Sequence, residues 1–461
     1  MLITDPPGID PTQLRDRMEG RVSAPGDPDW DEARQAWNLA VDQRPAAVAI
    51  PVTADDVVAV VEFARDRGLQ VTAQGTGHNA GAYETLANTI LVKTEKLRGV
   101  EIDVEARIAR CAAGTLWVEV SQPASEHGLA PLAGSSPDVG VVGYALGGGL
   151  SWLARKHGLA SNSVRAIELV TADGEHVRAT HDDHADLFWA LRGGGGNYGI
   201  VTAVEIELYE YPSVYAGMML WPWERGAEVL KAWVEWTKTA PDEVTTSARL
   251  LQVPPLPDIP EFLAGRAFVA IDGAYLGDEE SAAELFAPLR ALEPEMDSWG
   301  PMAPGGLSFI HMDPEGPTPG MGHHTMLNGV DDEAIDALVA VAGPGSGTPL
   351  LMTELRHLGG AVGRSGAHHG AVDVMPGDFA MFAVGIPMTP ELGEALRAAL
   401  PATIGAMAKW DAGTAYMNFA ESSDADPASF YSAENYARLR RVKADVDPTG
   451  VFRGNHAISA D

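Results

Sequence analysis

The stretch PVTADDVVAVVEFARDRGLQVTAQGTGHNAG, residues 51–81, carries a helix, a strand and a glycine loop in immediate succession. Thr53 is suited to cap a helix, and Asp55 and Asp56 fall in its first turn, where the helix dipole favours negative charge. Val57, Val60, Val61 and Ala64 recur at helical spacing, and Gly68 suits the C-terminal cap. A short strand, LQVTA, then delivers the chain into AQGTGHNAG, where His78 stands among glycines and small polar residues. A histidine in that setting is a candidate metal ligand, proton shuttle, phosphate-site neighbour or cofactor anchor.

Two more loops of the same texture follow, AGSSPDVGVVGYALGGGLSW (133–152) and LRGGGGNYG (191–199). Only glycine lets main-chain N–H groups converge on a ligand without a side-chain clash, and successive N–H groups form an anion nest suited to a pyrophosphate. Three such loops in one block therefore predict a nucleotide cofactor. The common fingerprints are absent: GYALGGGLSW lacks the Lys-Ser/Thr of a P-loop, and a GxGxxG pattern begun at Gly147 meets Trp152 where glycine is required. A metal site is not expected, because His78 has no partner at ligand spacing and the pairs His323-His324 and His368-His369 are sequence neighbours.

Around these loops the pattern predicts strands in TILVKT, RIARCAAG, VRAIELVTADGE and IVTAVEIEL, with a helix in LWVEVSQPASEHG, in a block ending near Tyr211-Pro212. The texture then changes. VYAGMMLW reads as a strand, and GAEVLKAWVEWTK as an amphipathic helix presenting Val229, Leu230, Trp233 and Trp236. VTTSARLLQV and RAFVAIDGAYL read as an antiparallel pair followed by a helix over 279–292. A Gly/Pro/Met/His-rich loop is expected over 299–329, then helix DDEAIDALVAVA, strands PLLMTELRHL and FAMFAVGIP, and a helix to about 409. Helix, strand, strand, helix thus occurs twice, which suits one antiparallel sheet with helices on one face. Near the end AYMNFA is strand-like, ENYARLRRVKADV helical and DPTGVFRGNHAI a terminal loop.

With 461 residues the chain calls for more than one domain. Its 32 Lys+Arg against 64 Asp+Glu give a net charge of −32, which repels nucleic acid and anionic membranes. No run approaches eighteen apolar residues, and MLITDPPGIDPTQLRDRM lacks the basic and apolar regions of a secretory leader. The single cysteine, Cys111, excludes an internal disulfide. These features predict a cytoplasmic enzyme, monomeric or homodimeric, with a small-molecule substrate.

Taken together, Gly75-Thr76-Gly77-His78-Asn79, Gly147-Gly148-Gly149, DLFWALRGGGGNYGIVT, YMNF and FRGNHAI resemble, in order and spacing, the berberine bridge enzyme-like FAD-linked oxidases. These are relatives of vanillyl-alcohol oxidase and p-cresol methylhydroxylase, and the likeness is greatest to bacterial members of the 6-hydroxynicotine oxidase type. The resemblance implies an α+β protein with a two-part FAD-binding domain of the p-cresol methylhydroxylase type, residues 1–211 and 412–461. Between them it implies an inserted substrate domain, 212–411, built on an antiparallel sheet covered by helices.

It further implies that His78 bonds to the 8α carbon of FAD. The cofactor contacts would come from Gln74, Gly75, Thr76, Gly77, Asn79 and Gly81 in the first loop, and from Ser136, Asp138, Val139, Gly140, Gly143, Gly147, Gly148 and Gly149 in the second. Ile200, Val201, Asn418 and Asn455 complete that set. Ser136 stands where many relatives carry a second, cysteine anchor, so a single covalent link is expected; Ser151 also departs from the usual glycine. Val139 occupies the family's oxygen-gate position, where valine resembles the oxidases, so O2 is the expected acceptor and H2O2 the product. Tyr416 matches the family tyrosine near flavin N5, assisted by Arg356 or His357, which alternation places on opposite faces of one strand. The expected reaction is oxidation of an alcohol or amine C–H by hydride transfer; a dehydrogenase of the same fold and a flavin-binding protein of low turnover are the alternatives.

Overall fold

A computed structural model describes residues 10–257 and 259–460; of the N-terminal stretch read for a leader, residues 1–9 lie outside the described part. The opening helix forms as Ala54–Arg65, with Thr53 and Asp56 in a reciprocal capping box. Val57, Val60, Val61 and Ala64 are fully buried beneath it. It connects strands of a four-stranded sheet ordered Arg21–Ser23, Ala47–Ile50, Thr89–Lys93, Gln70–Gln74, in which the last three run parallel. A second, five-stranded sheet is antiparallel throughout, with Ile200–Glu207 at its centre.

One hydrophobic core joins these two sheets, and it also takes in Tyr416, Leu439, Phe452 and Ile458 from the far end of the sequence. The return is fastened by Val71, whose N–H donates to Val451 O at 2.7 Å and whose carbonyl accepts from Arg453 N–H at 3.0 Å. Buried Lys443 adds three further bonds, to Asp447, Asn197 O and Phe452 O. All three Lys443 donors are thereby used, as a buried ammonium requires.

The large antiparallel sheet is drawn from residues 214–385. Its strands run Met296–Asp297, Val214–Pro222, Ala267–Tyr275, Val244–Gln252, Met352–His357, Phe379–Gly385, Met321–Leu327, with Gly300–Met302 also paired to Val214–Pro222. Two successive units, each strand–helix–strand–strand–helix, meet where Val244–Gln252 pairs with Met352–His357. Their four helices, Gly226–Thr237, Glu279–Arg290, Asp332–Ala342 and Pro390–Ala406, share one core with one face of the sheet. Trp233 is fully buried there, with its indole N–H satisfied by Thr246 Oγ1 at 3.0 Å. Truncating such a side chain to alanine costs about 3–5 kcal/mol.

Two local expectations are corrected. The segment 299–329 is not a plain loop: Met321–Leu327 is a full strand, opening the second unit. Its text, MGHHTML, has no period-two apolar signal, and pairing with Phe379–Gly385 decides its conformation. AYMNFA is not a strand either. Met417–Phe419 closes a 3-10 turn after an extended Tyr416, because Asn418 Nδ2 donates to Tyr144 O and Tyr416 Oη. Among the described residues no helix is long and apolar enough to cross a membrane.

Candidate active site

The helix-free face of the large sheet and the three glycine loops enclose a continuous cavity. On the loop side, strand Gln70–Gln74 ends at the glycines and presents His78 to the cavity. Gly77 has φ +96°, a conformation that L side chains rarely adopt, and a Cβ there would lie 2.9 Å from Ala36 Cβ. Trp37 stacks on the imidazole, with ring centroids 3.8 Å apart and planes at 26°. His78 Nε2 faces Asp138, at 3.4 Å from its carbonyl oxygen and 3.6 Å from Oδ1. Nδ1 is left without a hydrogen-bond partner among the described residues.

Asp138 also accepts from Trp37 Nε1 at 2.7 Å and Gly316 N–H at 2.9 Å. Burial works against its charge, but the nearby His78 ring and the bonds from Gly316 and Trp37 hold its carboxyl below the ordinary range. The pair therefore fixes the imidazole by ring stacking on one side and a carboxylate on the other.

Around His78 the wall is a cradle. Gly75, Gly140, Gly143 and Gly196 line it with bare backbone, and a Cβ on Gly143 or Gly196 would meet nothing within 4 Å. Both amide atoms of Gln74 and Oδ1 of Asn79 are buried in this wall with no protein partner. Buried polar atoms without partners mark where a polar ligand belongs.

The opposite wall carries the charged groups. Strand Met352–His357 points Glu354 and Arg356 into the cavity, where Arg356 Nε donates to Glu354 Oε1 at 2.7 Å and Nη2 to Ser135 Oγ at 3.0 Å. The guanidinium lies 5.3 Å from the Phe419 ring centroid and 5.6 Å from that of Trp152. Burial opposes its charge, but Glu354 keeps it more firmly protonated than a free arginine. Tyr416 is 3 % exposed, and Asn418 Nδ2 donates to its hydroxyl at 3.0 Å. Burial pushes the phenol up to about 12, outweighing the opposite pull of Arg356 and Asn418.

The matches with known proteins follow this layout. A model of the FAD binding domain matches residues 45–180, and a model described as berberine and berberine like matches 415–459. (R)-6-hydroxynicotine oxidase from Paenarthrobacter nicotinovorans is 29% identical over 96% of this chain and 97% of its own. This chain is an FAD-linked oxidoreductase, similar to the berberine and berberine-like proteins. Glucooligosaccharide oxidase from Sarocladium strictum is 33% identical, over 47% of this chain and 44% of its own. Among solved structures, 6-hydroxy-D-nicotine oxidase from Arthrobacter nicotinovorans aligns with a TM-score of 0.82 at 25% identity, covering 96% and 98% of the two chains. A berberine bridge enzyme-like protein of Physcomitrella patens aligns at 0.83 and 22%, covering 98% and 99%, which shows the shared fold.

In this FAD-linked oxidoreductase most of the expected cofactor residues line the cavity. These are Gln74, Gly75, Thr76, Gly77, His78, Asn79, Ser136, Val139, Gly140, Gly143, Gly147, Val201, Asn418 and Asn455. Five do not. Gly81 backs onto Glu421 O, which a Cβ would approach to 2.7 Å, and Asp138 stands behind His78. Gly148 and Gly149 turn the chain at φ +114° and +79°, and Ile200 is wholly buried in the five-stranded sheet.

His357 is corrected in the same way. It does not face the cavity: alternation sends it to the helix side, where its ring lies 5.8 Å from Phe379 and burial pulls it down to about 3. Arg356 alone of the two accompanies Tyr416.

Sequence reasoning missed Trp37, His311, Asp313 and Glu421, all cavity-lining. Burial pushes the Glu421 carboxyl up to about 7. It also missed the fully buried Asp272 behind them, although an acid alone in the apolar run RAFVAIDGAYL was a usable signal.

Proposed function

We propose that this oxidoreductase holds FAD by one covalent bond, through Nδ1 of His78, and oxidises a small alcohol or amine with O2 as the final acceptor. The observation that carries the reading is the stacked, carboxylate-tethered His78, whose free nitrogen stands in a glycine cradle opposite Tyr416 and Arg356. Engaging Nε2 with Asp138 fixes the tautomer and makes Nδ1 the nucleophilic nitrogen. Bound FAD supplies the two-electron acceptor. The glycine backbones are suited to its phosphates, and Gln74, Asn79 and Asn455 to its remaining polar edges. The same reading assigns residues 1–211 and 412–461 to the cofactor and 212–411 to the substrate.

The single anchor rests on Ser136, whose hydroxyl is committed to Asp313 Oδ2 at 2.6 Å and brings no thiol to the flavin. Tyr416, with its acidity suppressed, stays protonated at neutral pH and acts as a donor that positions the substrate heteroatom beside Arg356. Val139 lines the cavity, and a side chain as short as valine at that place is what the oxidase reading calls for. The relatives named for nicotine and oligosaccharide oxidation span amine and alcohol chemistry, which is why both substrate classes enter this proposal.

The test is an absorbance spectrum after acid precipitation. Yellow colour retained in the pellet of the native protein and lost in His78→Ala is the expected outcome; colour released from the native protein overturns the covalent assignment. Prompt reoxidation of the reduced enzyme in air is expected of an oxidase, whereas reoxidation only by an added dye would make it a dehydrogenase.

A further inference from the structure

Beneath the substrate end of the cavity lies a buried ionic cluster that the proposed function leaves without a task. Asp272 is completely buried and accepts from Ser247, from Arg249 and from His311 Nδ1, the last at 2.9 Å. Burial opposes its charge, yet Arg249 and His311 hold its carboxyl well below the usual range. Arg249 also donates to the His311 carbonyl at 3.0 Å, so the imidazole is clamped from its own backbone and from its ring.

The other ring nitrogen is different. His311 is 1 % exposed and lines the cavity, and its Nε2 has no hydrogen-bond partner. Glu354 Oε1 and Asp313 Oδ1 stand 3.7 and 3.8 Å from it, beyond hydrogen-bond reach but close enough to stabilise a positive charge. Glu354 Oε2 and Trp152 Nε1 are likewise unpartnered, and the Trp152 ring lies 5.6 Å from His311. Arg356 touches both Glu354 and the aromatic groups beside Tyr416, so the two halves of this wall are continuous.

We infer that His311, oriented by Asp272, is the proton acceptor for the substrate hydroxyl or amine during oxidation, a role that rests on the oxidoreductase reading above. In that step the substrate C–H electron pair leaves with its hydrogen for the flavin, the oxidant already named. The O–H or N–H bond breaks, its proton goes to His311 Nε2, and its electron pair becomes the new C=O or C=N bond. Substrate loses two electrons and the flavin gains two.

The guanidinium groups of Arg249 and Arg356 offset most of the charge of Asp272, Glu354 and Asp313 while the ring is neutral, and the carboxylates beside Nε2 stabilise the proton as it arrives there. Asp313 faces the imidazole from its own loop, Asp272 and Glu354 face it from strands packed on it, Arg249 holds its carbonyl, and Arg356 acts on it through Glu354. Tyr416 cannot take the proton at neutral pH, since its phenol is pushed up to about 12. A carboxylate-oriented imidazole with its second nitrogen free is a proven general-base arrangement.

Two measurements test it. Nitrogen NMR of the holoenzyme labelled at its 13 histidines, with His311 assigned by loss of its signals in His311→Asn, is expected to show at pH 7 a neutral ring protonated on Nδ1. An imidazolium, or the Nε2–H tautomer, overturns the proposal and leaves His311 a structural ion-pair partner. Anaerobic stopped-flow bleaching of the flavin is then followed with 6-hydroxynicotine, cellotriose and benzyl alcohol. With whichever probe the native enzyme turns over, His311→Asn is expected to slow bleaching by about 100-fold or more and to abolish its acid limb.

Asp272→Asn, which keeps the shape of the clamp but not its charge, is expected to slow the step as well if His311→Asn fails to fold. Unchanged rates and pH profile in a folded variant refute the role of His311. A native enzyme that bleaches with none of the probes counts instead against the oxidoreductase reading, and the NMR result then decides the tautomer separately.

Discussion

Asp138→Asn tests the idea that a carboxylate behind His78 drives flavin attachment. The Oδ1–Nε2 separation is 3.6 Å, and the two side chains are 18% and 25% exposed. At an effective dielectric constant of about 40, intermediate between protein surface and water, a unit charge there interacts with a developing imidazolium by about 2.3 kcal/mol. Losing it should slow the covalent step roughly 50-fold. Asparagine keeps an acceptor for Trp37 Nε1 and Gly316 N–H, so the melting temperature should barely move. Asp138→Ala strands both donors and should cost about 2 kcal/mol of stability in addition. The assay mixes apoprotein, made under riboflavin limitation, with FAD and follows the flavin retained in acid pellets over time. Attachment by Asp138→Asn within twofold of the native rate would show that stacking and proximity suffice, and the electrostatic argument would fail.

Other consequences are quicker to state. Tyr416→Phe removes the hydroxyl held by Asn418 and should lower the limiting rate of flavin reduction about 100-fold while leaving covalent flavin content intact; a change under threefold in stopped-flow bleaching would exclude the donor role. Gly147→Ala would set a Cβ 1.8 Å from Asn418 Oδ1, so Asn418 must leave Tyr144 and Tyr416; flavin content measured by absorbance should fall along with activity, and an unaffected enzyme would contradict the packing. Stability should decline in acid. Burial holds His357 at about 3 and His456 at about 4, so unfolding takes up protons on both as pH drops below about 6.5. The stability they contribute is complete above that pH and is lost toward pH 4, at up to about 1.4 kcal/mol per unit for each. Denaturant melts across pH 7 to 4.5 should show this slope, and His357→Phe should remove close to one proton of it; an unchanged slope would mean His357 is already charged when folded.

Much of this protein was legible in the residues alone, because the deciding signals were local. The capped helix before Gln70–Gln74, the three glycine loops and the doubled helix–strand pattern each depend on neighbours within a few positions. Period-two alternation separated Arg356 from His357, and the His78 motif marked a histidine that lines the cavity. The strand at Met321–Leu327 and the turn at Tyr416–Phe419 were hidden, since a partner strand and the Asn418 side chain, not local propensity, fix them.

What only the tertiary structure decided is which groups face one another. Trp37, 41 positions before His78, covers its ring, and Asp138 takes its Nε2 from another loop. Asp272, Arg249, His311 and Glu354 come from three strands and a loop to share one buried charge balance. Sequence determined the scaffold and the glycine loop that carries His78, because backbone preference and periodicity act over short range. Packing decided the acidity of Tyr416 and the partners of His311, because desolvation and charge pairing depend on distances that no local pattern encodes.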